Sequence, residues 1–157
     1  MKLSTKGRYA MVALADLAMM RNKAGGEDRV SLAEISKRQD ISLPYLEQLF
    51  VKLRRAGLVE AVRGPGGGYR LARDPVEIRV SEVLQAVEET VDATHAGAGA
   101  TGAVSGTRAQ SLTNRLWESL SANVYVFLHR VRLSDVVKND LTPCPAVPSL
   151  FRVVDEE

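Results

Sequence analysis

The sequence predicts a mainly α-helical protein with a small β-wing, a winged helix-turn-helix domain joined to a long C-terminal helix. Three observations carry this prediction. Over residues 43–55 the apolar side chains Leu46, Leu49, Phe50 and Leu53 recur at helical spacing, while Pro44, Tyr45, Glu47, Gln48 and Lys52 fall on other faces. Two strand-like runs, 58–62 and 69–72, flank Arg63-Gly64-Pro65-Gly66-Gly67-Gly68, a stretch too glycine-rich for a core and suited to a narrow turn. Further along, Leu112, Leu116, Leu120, Val124, Phe127 and Val131 recur at three- and four-residue steps.

Taken in order, the first helix is expected over 5–21, with Tyr9, Val12, Leu14 and Leu17 among its apolar positions. Gly25-Gly26 and a charged stretch form a loop. Ser31-Leu32-Ala33-Glu34 has the pattern of a capping box, in which serine accepts from an exposed amide and glutamate reaches back. It opens a short helix over 32–39, and Asp40-Ile41-Ser42 turns the chain into the helix over 43–55, which stops at Gly57. After the hairpin, Asp74-Pro75 breaks the chain, and Ser81 is expected to cap a helix running to about residue 89. Residues 93–111 hold six alanines and four glycines in nineteen positions, leaving little to pack. A structureless loop of that length is usually functional or disordered. An amphipathic helix over 111–130 follows, its stripe widened by Trp117 and Leu128, then a short helix near 134–138 and a proline-containing tail. The expected organisation is a DNA-binding domain (1–80), a connecting helix (81–92), a sensor loop (93–111), a dimerisation region (112–140) and the tail (141–157).

The bulk properties narrow the function classes. Of 157 residues 45% are hydrophobic and 25% charged, as in an ordinary soluble domain. No apolar run approaches the roughly 20 residues that span a bilayer. The basic, then apolar, N-terminus is interrupted by Arg8 and Asp16, so a signal peptide is not expected and a cytoplasmic location is. A single cysteine, Cys144, excludes a disulfide framework and a multi-cysteine zinc site within one chain. The net charge of +2 hides an asymmetry: residues 1–74 carry 14 Lys/Arg against 8 Asp/Glu, whereas residues 75–157 carry 7 against 11. The basic half coincides with the helix and wing, as a nucleic-acid footprint does.

The major groove of B-DNA admits one α-helix, whose first residues reach base edges. Here those are Ser42, Pro44, Tyr45, Glu47 and Gln48. Ser42 can cap the helix and offer a hydroxyl to phosphate. Gln48 can pair with adenine, Glu47 can accept from cytosine while repelling phosphate, and Tyr45 can supply a hydroxyl and a thymine-methyl contact. The alternative for Tyr45 is a half-buried packing residue, and for Glu47 an intrahelical partner of nearby basic groups. Lys52 suits a phosphate contact, as do Arg54 and Arg55. Arg63 at the wing can enter a narrow minor groove, with Gly66 and Gly67 letting the backbone approach the sugar-phosphate wall. The glycines do not form a nucleotide loop, because the Gly-Lys-Ser/Thr ending is absent. Nor is there a nucleophile–base constellation or metalloprotease motif, so neither an enzyme nor a small-molecule substrate is expected. The competing class is a winged helix that serves only protein interaction.

MKLSTKGRYA at the start, SLPYLEQLFVKLRRAGLVEAVRGPGGGYRLA in the middle, VSEVLQAVEETVDAT and the later LTNRLW closely resemble IscR-type iron–sulfur cluster regulators. The resemblance spans most of residues 1–140. It implies a homodimeric winged-helix transcription factor that binds palindromic promoter DNA and adjusts iron–sulfur assembly or iron-homeostasis genes, usually through a bound 2Fe-2S cluster. By position, Ser42, Pro44, Glu47 and Gln48 match the base-reading helix, Arg63 the minor-groove arginine, and Lys6 and Tyr9 a first helix near the DNA backbone. The cluster loop departs from the family. Where the pattern Cys-x5-Cys-x5-Cys-x2-His is expected, alignment gives Ala96, Gly102 or Ala103, Ser111 and Asn114, in a loop about three residues longer. Alanine and glycine cannot bind iron, and serine and asparagine are poor replacements for thiolate and imidazole. Either a cluster is held by other ligands, with Cys144 the only thiolate and His95 and His129 as supplements doubled in a dimer, or the regulator is cluster-free.

Overall fold

A computed structural model describes residues 3–21, 28–90 and 107–141. The chain order is α1 (Thr5–Arg21), α2 (Leu32–Gln39), α3 (Leu43–Arg55), β1 (Val59–Val62), β2 (Gly68–Leu71), α4 (Val80–Ala86), α5 (Arg108–Arg130) and α6 (Leu133–Val137). The first three helices match the expected spans. The Ser31 capping box is present in full: Glu34 N–H donates to the serine hydroxyl at 3.2 Å and Ser31 N–H to the Glu34 carboxylate at 2.8 Å. Asp40 ends α2 in the left-handed region at φ 53°, and buried Ile41 plugs the turn into α3. Ser42 then caps α3, accepting from Tyr45 N–H at 3.4 Å.

Packing explains this arrangement. Leu46, Phe50 and Leu53 on α3 close against Leu14 of α1, Ile35 of α2 and Leu58 in one core, with Val83 and Val87 beyond. Each fully buried aliphatic side chain contributes on the order of 1.5–3 kcal/mol from burial. α1 is additionally locked to α2 through Asp16, only 3% exposed, which accepts two bonds from Arg38 at 2.7 and 3.0 Å and one from Gln39 at 2.8 Å. Gly7 lets α1 approach α4, since a Cβ there would lie 2.9 Å from a Leu84 methyl and 3.0 Å from the Glu89 carboxylate.

β1 and β2 pair antiparallel with Val59 opposite Leu71 and Val62 opposite Gly68, and Val30 adds a bridge to Tyr69. The tip is a turn in which Gly67 N–H donates to Gly64 C=O at 2.8 Å. Pro65 sits at its second position and Gly66 at its third with φ 72°, the geometry of a type II turn.

Beyond the wing the structure departs from the sequence reading. α4 starts at Val80 with Arg79 at its cap, not with Ser81. Tertiary pairing sets this start: Val80 N–H donates to Val131 C=O at 3.0 Å, and Leu133 N–H to Ile78 C=O at 2.8 Å. Ser81 is buried instead, with its hydroxyl 3.1 Å from His129 Nδ1. The long helix begins at Arg108, inside the stretch expected to be loop, where Thr107 and Gln110 make a capping box that the alanine-glycine composition concealed. Just past its far end the chain re-enters the winged-helix core, where Leu133, the first residue of α6, is completely buried. The stretch expected to dimerise is therefore tied at its far end to the winged-helix core. α5 itself buries none of its 23 residues.

Candidate nucleic-acid interface

α3 presents two opposed faces. Its buried face carries Leu46, Leu49, Phe50 and Leu53, which orients the other outward. Pro44, Glu47, Gln48 and Val51 follow helical spacing along that outer face and are exposed. Ser42 is exposed at its head. Glu47 and Gln48 make no hydrogen bond or ion pair among the described residues, so their polar ends are available to a ligand. Val51, 48% exposed, is an apolar member of this face that reading from the helix start missed. Its signal is its spacing from Pro44, seven residues on.

Tyr45 sits differently from its neighbours. A base or thymine-methyl contact was expected of it, but its ring lies in the seam between α1 and α3, edge-on to Tyr9 at 5.6 Å, and its hydroxyl is buried without a hydrogen-bond partner. With its hydroxyl out of reach of solvent and its ring half-buried, Tyr45 fits its reading as a packing residue. Tyr9 is likewise partly buried and packed on the core.

The wing places Arg63 at the exposed end of β1, with no ion pair among the described residues. Arg54, from the last turn of α3, lines the same open groove. Gly66 and Gly67 form the tip. The requirement for glycine at 67 is internal: a Cβ there would lie 2.6 Å from the Val62 carbonyl oxygen. Close approach to DNA is not what fixes that residue.

Two lysines expected to meet phosphate converge on one residue. Lys52 Nζ lies 2.6 Å from the Glu88 carboxylate, and Lys6 Nζ donates to the Glu88 carbonyl oxygen at 3.3 Å. The hydrogen bond and positive charge of Lys52, assisted by Lys6, hold the Glu88 carboxyl below the usual carboxylate range. Neighbouring Glu89 accepts from the hydroxyl and amide of Ser4 and from the amide of Gly7. Partial burial pushes its carboxyl upward, but these bonds outweigh it and leave the group lowered. Neither glutamate was singled out in the sequence, because the contact joins residues more than 30 positions apart.

The residues at the expected cluster positions are separated by what is described. Ser111 is exposed and Asn114 half-buried on the first turns of α5, while Ala96, Gly102 and Ala103 lie outside the described residues, as do Cys144 and His95. His129 is exposed on the last turn of α5, stacked on Tyr125 with ring centres 5.7 Å apart. Among the described residues no group of three His, Cys, Asp or Glu side chains could hold a metal ion. Nor is any helix among them long and apolar enough to cross a membrane.

A three-helix core, an outward polar helix face and an arginine-edged hairpin define a winged helix-turn-helix regulator of transcription. Residues 3–139 match the Rrf2 family, described as an iron-dependent transcriptional regulator. The chain is 76% identical over 157 residues to the HTH-type transcriptional regulator IscR of Cereibacter sphaeroides, covering all of both chains. It is 52% identical over 137 residues to IscR of Aliivibrio salmonicida, covering 87% of this chain and 77% of that one. Among solved structures, IscR of T. potens superposes with a TM-score of 0.68 at 33% identity over 96% of each chain. CymR, the global cysteine regulator of B. subtilis, does so with 0.70 at 29% identity over 88% of this chain and 98% of that one. The chain belongs to the Rrf2 family of iron-dependent transcriptional regulators. It is an IscR-type DNA-binding regulator of transcription and, like the relatives so named, not an enzyme.

Proposed function

We propose that the protein acts as a homodimer on a palindromic promoter site, controlling genes of iron–sulfur assembly or iron homeostasis. The observation that carries this reading is the exposed polar face of α3 beside a wing arginine that makes no ion pair among the described residues. Gln48 and Glu47 read base edges in the major groove, Ser42 and Pro44 seat the head of the helix, and Arg63 enters the minor groove with Gly66 and Gly67 at its wall. Lys6 and Lys52 lie on the phosphate side of the same surface. The dimer reading is supported by α5, about 34 Å long at 1.5 Å per residue, whose Leu112, Leu116, Trp117 and Leu120 are all at least 40% exposed. A two-fold axis would cover that face and set two recognition helices one DNA turn apart.

The chemistry of the donors does not fit a 2Fe-2S cluster at the family's usual position. A hydroxyl at Ser111, an amide at Asn114, and alanine or glycine at the remaining places offer neither thiolate nor imidazole. Two forms of sensor are compatible with the chain: one that draws on Cys144, with His95 and His129, from both protomers, and one without a cluster. Anaerobic purification followed by a visible spectrum and an iron–sulfide assay separates them. A coloured protein that bleaches in Cys144→Ser supports the first, and a colourless protein that binds its promoter normally supports the second.

DNA recognition is tested by affinity across a salt series. Arg63→Ala and Gln48→Ala should each weaken promoter binding, by about 1–3 kcal/mol for a base-reading side chain. Undiminished binding in both variants would favour the protein-interaction class instead.

A further inference from the structure

Glu88 follows α4 in the left-handed region at φ 59°, a conformation that costs a non-glycine residue about 1–2 kcal/mol. Its neighbours hold it there. Glu88 N–H donates to Gln85 C=O at 3.0 Å and Glu89 N–H to Leu84 C=O at 2.9 Å, closing the end of α4. The Glu89 carboxylate then staples the corner to the head of α1, accepting from Ser4 N–H at 3.3 Å and Gly7 N–H at 3.1 Å. The Glu88 side chain thus projects from a fixed backbone. Its carboxylate meets Lys52 of the recognition helix while remaining 73% exposed itself.

We infer that Glu88 is an intramolecular stand-in for DNA phosphate, which occupies Lys52 and sets an upper limit on the protein's affinity for duplex DNA. A phosphate approaching Lys52 must displace an anion already bonded to it. Exchange of one anion for another contributes less than capture by a free ammonium. Lys6 is treated differently at the same corner. It donates to a carbonyl oxygen and forms no direct ion pair among the described residues; the Glu88 and Glu89 carboxylates attract it only from a distance, which leaves its ammonium open to phosphate. The corner therefore ranks the two lysines, Lys6 as a standing contact and Lys52 as one held in reserve. Any displacement of the corner away from α3 releases Lys52 and raises affinity without altering the base-reading residues. This inference rests on the reading that the Lys6–Lys52 surface faces DNA.

Because phosphate contacts are independent of sequence, a fluorescent mixed-sequence duplex of about 30 base pairs in about 50 mM salt is a sufficient probe. Glu88→Gln should bind it about three- to fivefold more tightly than the unaltered protein, the range set by an exposed ion pair of up to about 1 kcal/mol. Lys52→Met should abolish the gain in the Glu88→Gln background. Lys6→Met should weaken binding equally in both backgrounds. If Glu88→Gln leaves affinity unchanged while Lys6→Met lowers it, the surface meets DNA but Glu88 does not compete, and the inference fails. It fails equally if the gain persists in Glu88→Gln/Lys52→Met, since loss of one negative charge near the duplex then explains the effect. If none of the lysine substitutions matters in either background, the reading that this surface faces DNA is overturned as well. Glu88 is exposed, and a single cooperative thermal transition in every variant, well above the assay temperature, confirms that all remain folded.

Discussion

The rings of Tyr9 and Tyr45 meet edge-on between α1 and α3, their centres 5.6 Å apart and their planes at 89°. The contact bridges the seam between the two helices, and the Tyr45 hydroxyl is buried there without a partner. A buried hydroxyl with no hydrogen bond carries a desolvation penalty of about 1–3 kcal/mol.

Tyr45→Phe should therefore retain the ring contact and stabilise the protein by up to about 1 kcal/mol, read as a higher urea midpoint at unchanged slope. Promoter affinity should stay the same. A weaker complex would mean that the hydroxyl emerges to contact DNA.

Asp16→Ala should be destabilising. The carboxylate is buried and receives three hydrogen bonds from Arg38 and Gln39, so its loss leaves the Arg38 guanidinium without its partner at the α1–α2 junction. Breaking a buried pair costs about 3–5 kcal/mol; Arg38 keeps some access to water, so about 2–3 kcal/mol is expected from denaturant unfolding.

Acid should weaken the fold through a definable set of carboxylates. Glu34, Glu82, Glu88 and Glu89 all have pKa values lowered from an ordinary value near 4.5. For Glu34 the Ser31 amide is the main cause. For Glu82 burial acts upward but is outweighed by the Arg79 amide and by Arg73. The unfolded chain binds these protons more readily, so the stabilisation is complete above about pH 4.5 and is lost as pH falls through the lower folded-state values. Thermal midpoints measured from pH 6 downward should show this decline, and Glu89→Gln should make it shallower. A midpoint unaffected by acid in this window would contradict the assigned bonds.

Leu116→Glu with Leu120→Glu should dissociate the proposed dimer, because both side chains lie on the exposed stripe of α5 and neither contributes to the monomer core. Light scattering should give half the mass at micromolar concentration, with little change in helix content. An unaltered mass would place the dimer contact elsewhere.

Local chemistry made much of the fold legible in the sequence. The Ser31 capping box, the apolar face of α3 and the Pro65-Gly66 turn each specify their own geometry within a few residues. The start of α4 was not legible, since pairing across the chain between residues 78–80 and 131–133 overrides the serine that looks like a cap. For the candidate site, Gln48, Glu47 and Arg63 follow from helical spacing and turn chemistry. For Tyr45 the sequence left two readings open, because helical periodicity places it at the margin of the buried face and its contact with Tyr9 forms only in the folded chain. Glu88 was invisible for a related reason: its significance lies in Lys52, reached only through the folded chain.

Leu133 opens α6, just beyond the end of α5, and is completely buried in the winged-helix core, whereas α5 buries no side chain of its own. The helix is consequently a spar clamped at one end. In a dimer built along that spar, the seating of Leu133 sets how far apart two recognition helices stand. A substitution there, remote from any base, would alter which half-site separation is preferred more than the fit to either half-site. Operators lengthened or shortened by a single base pair would reveal it as a change in rank order, so a core leucine would act as a gauge of DNA length.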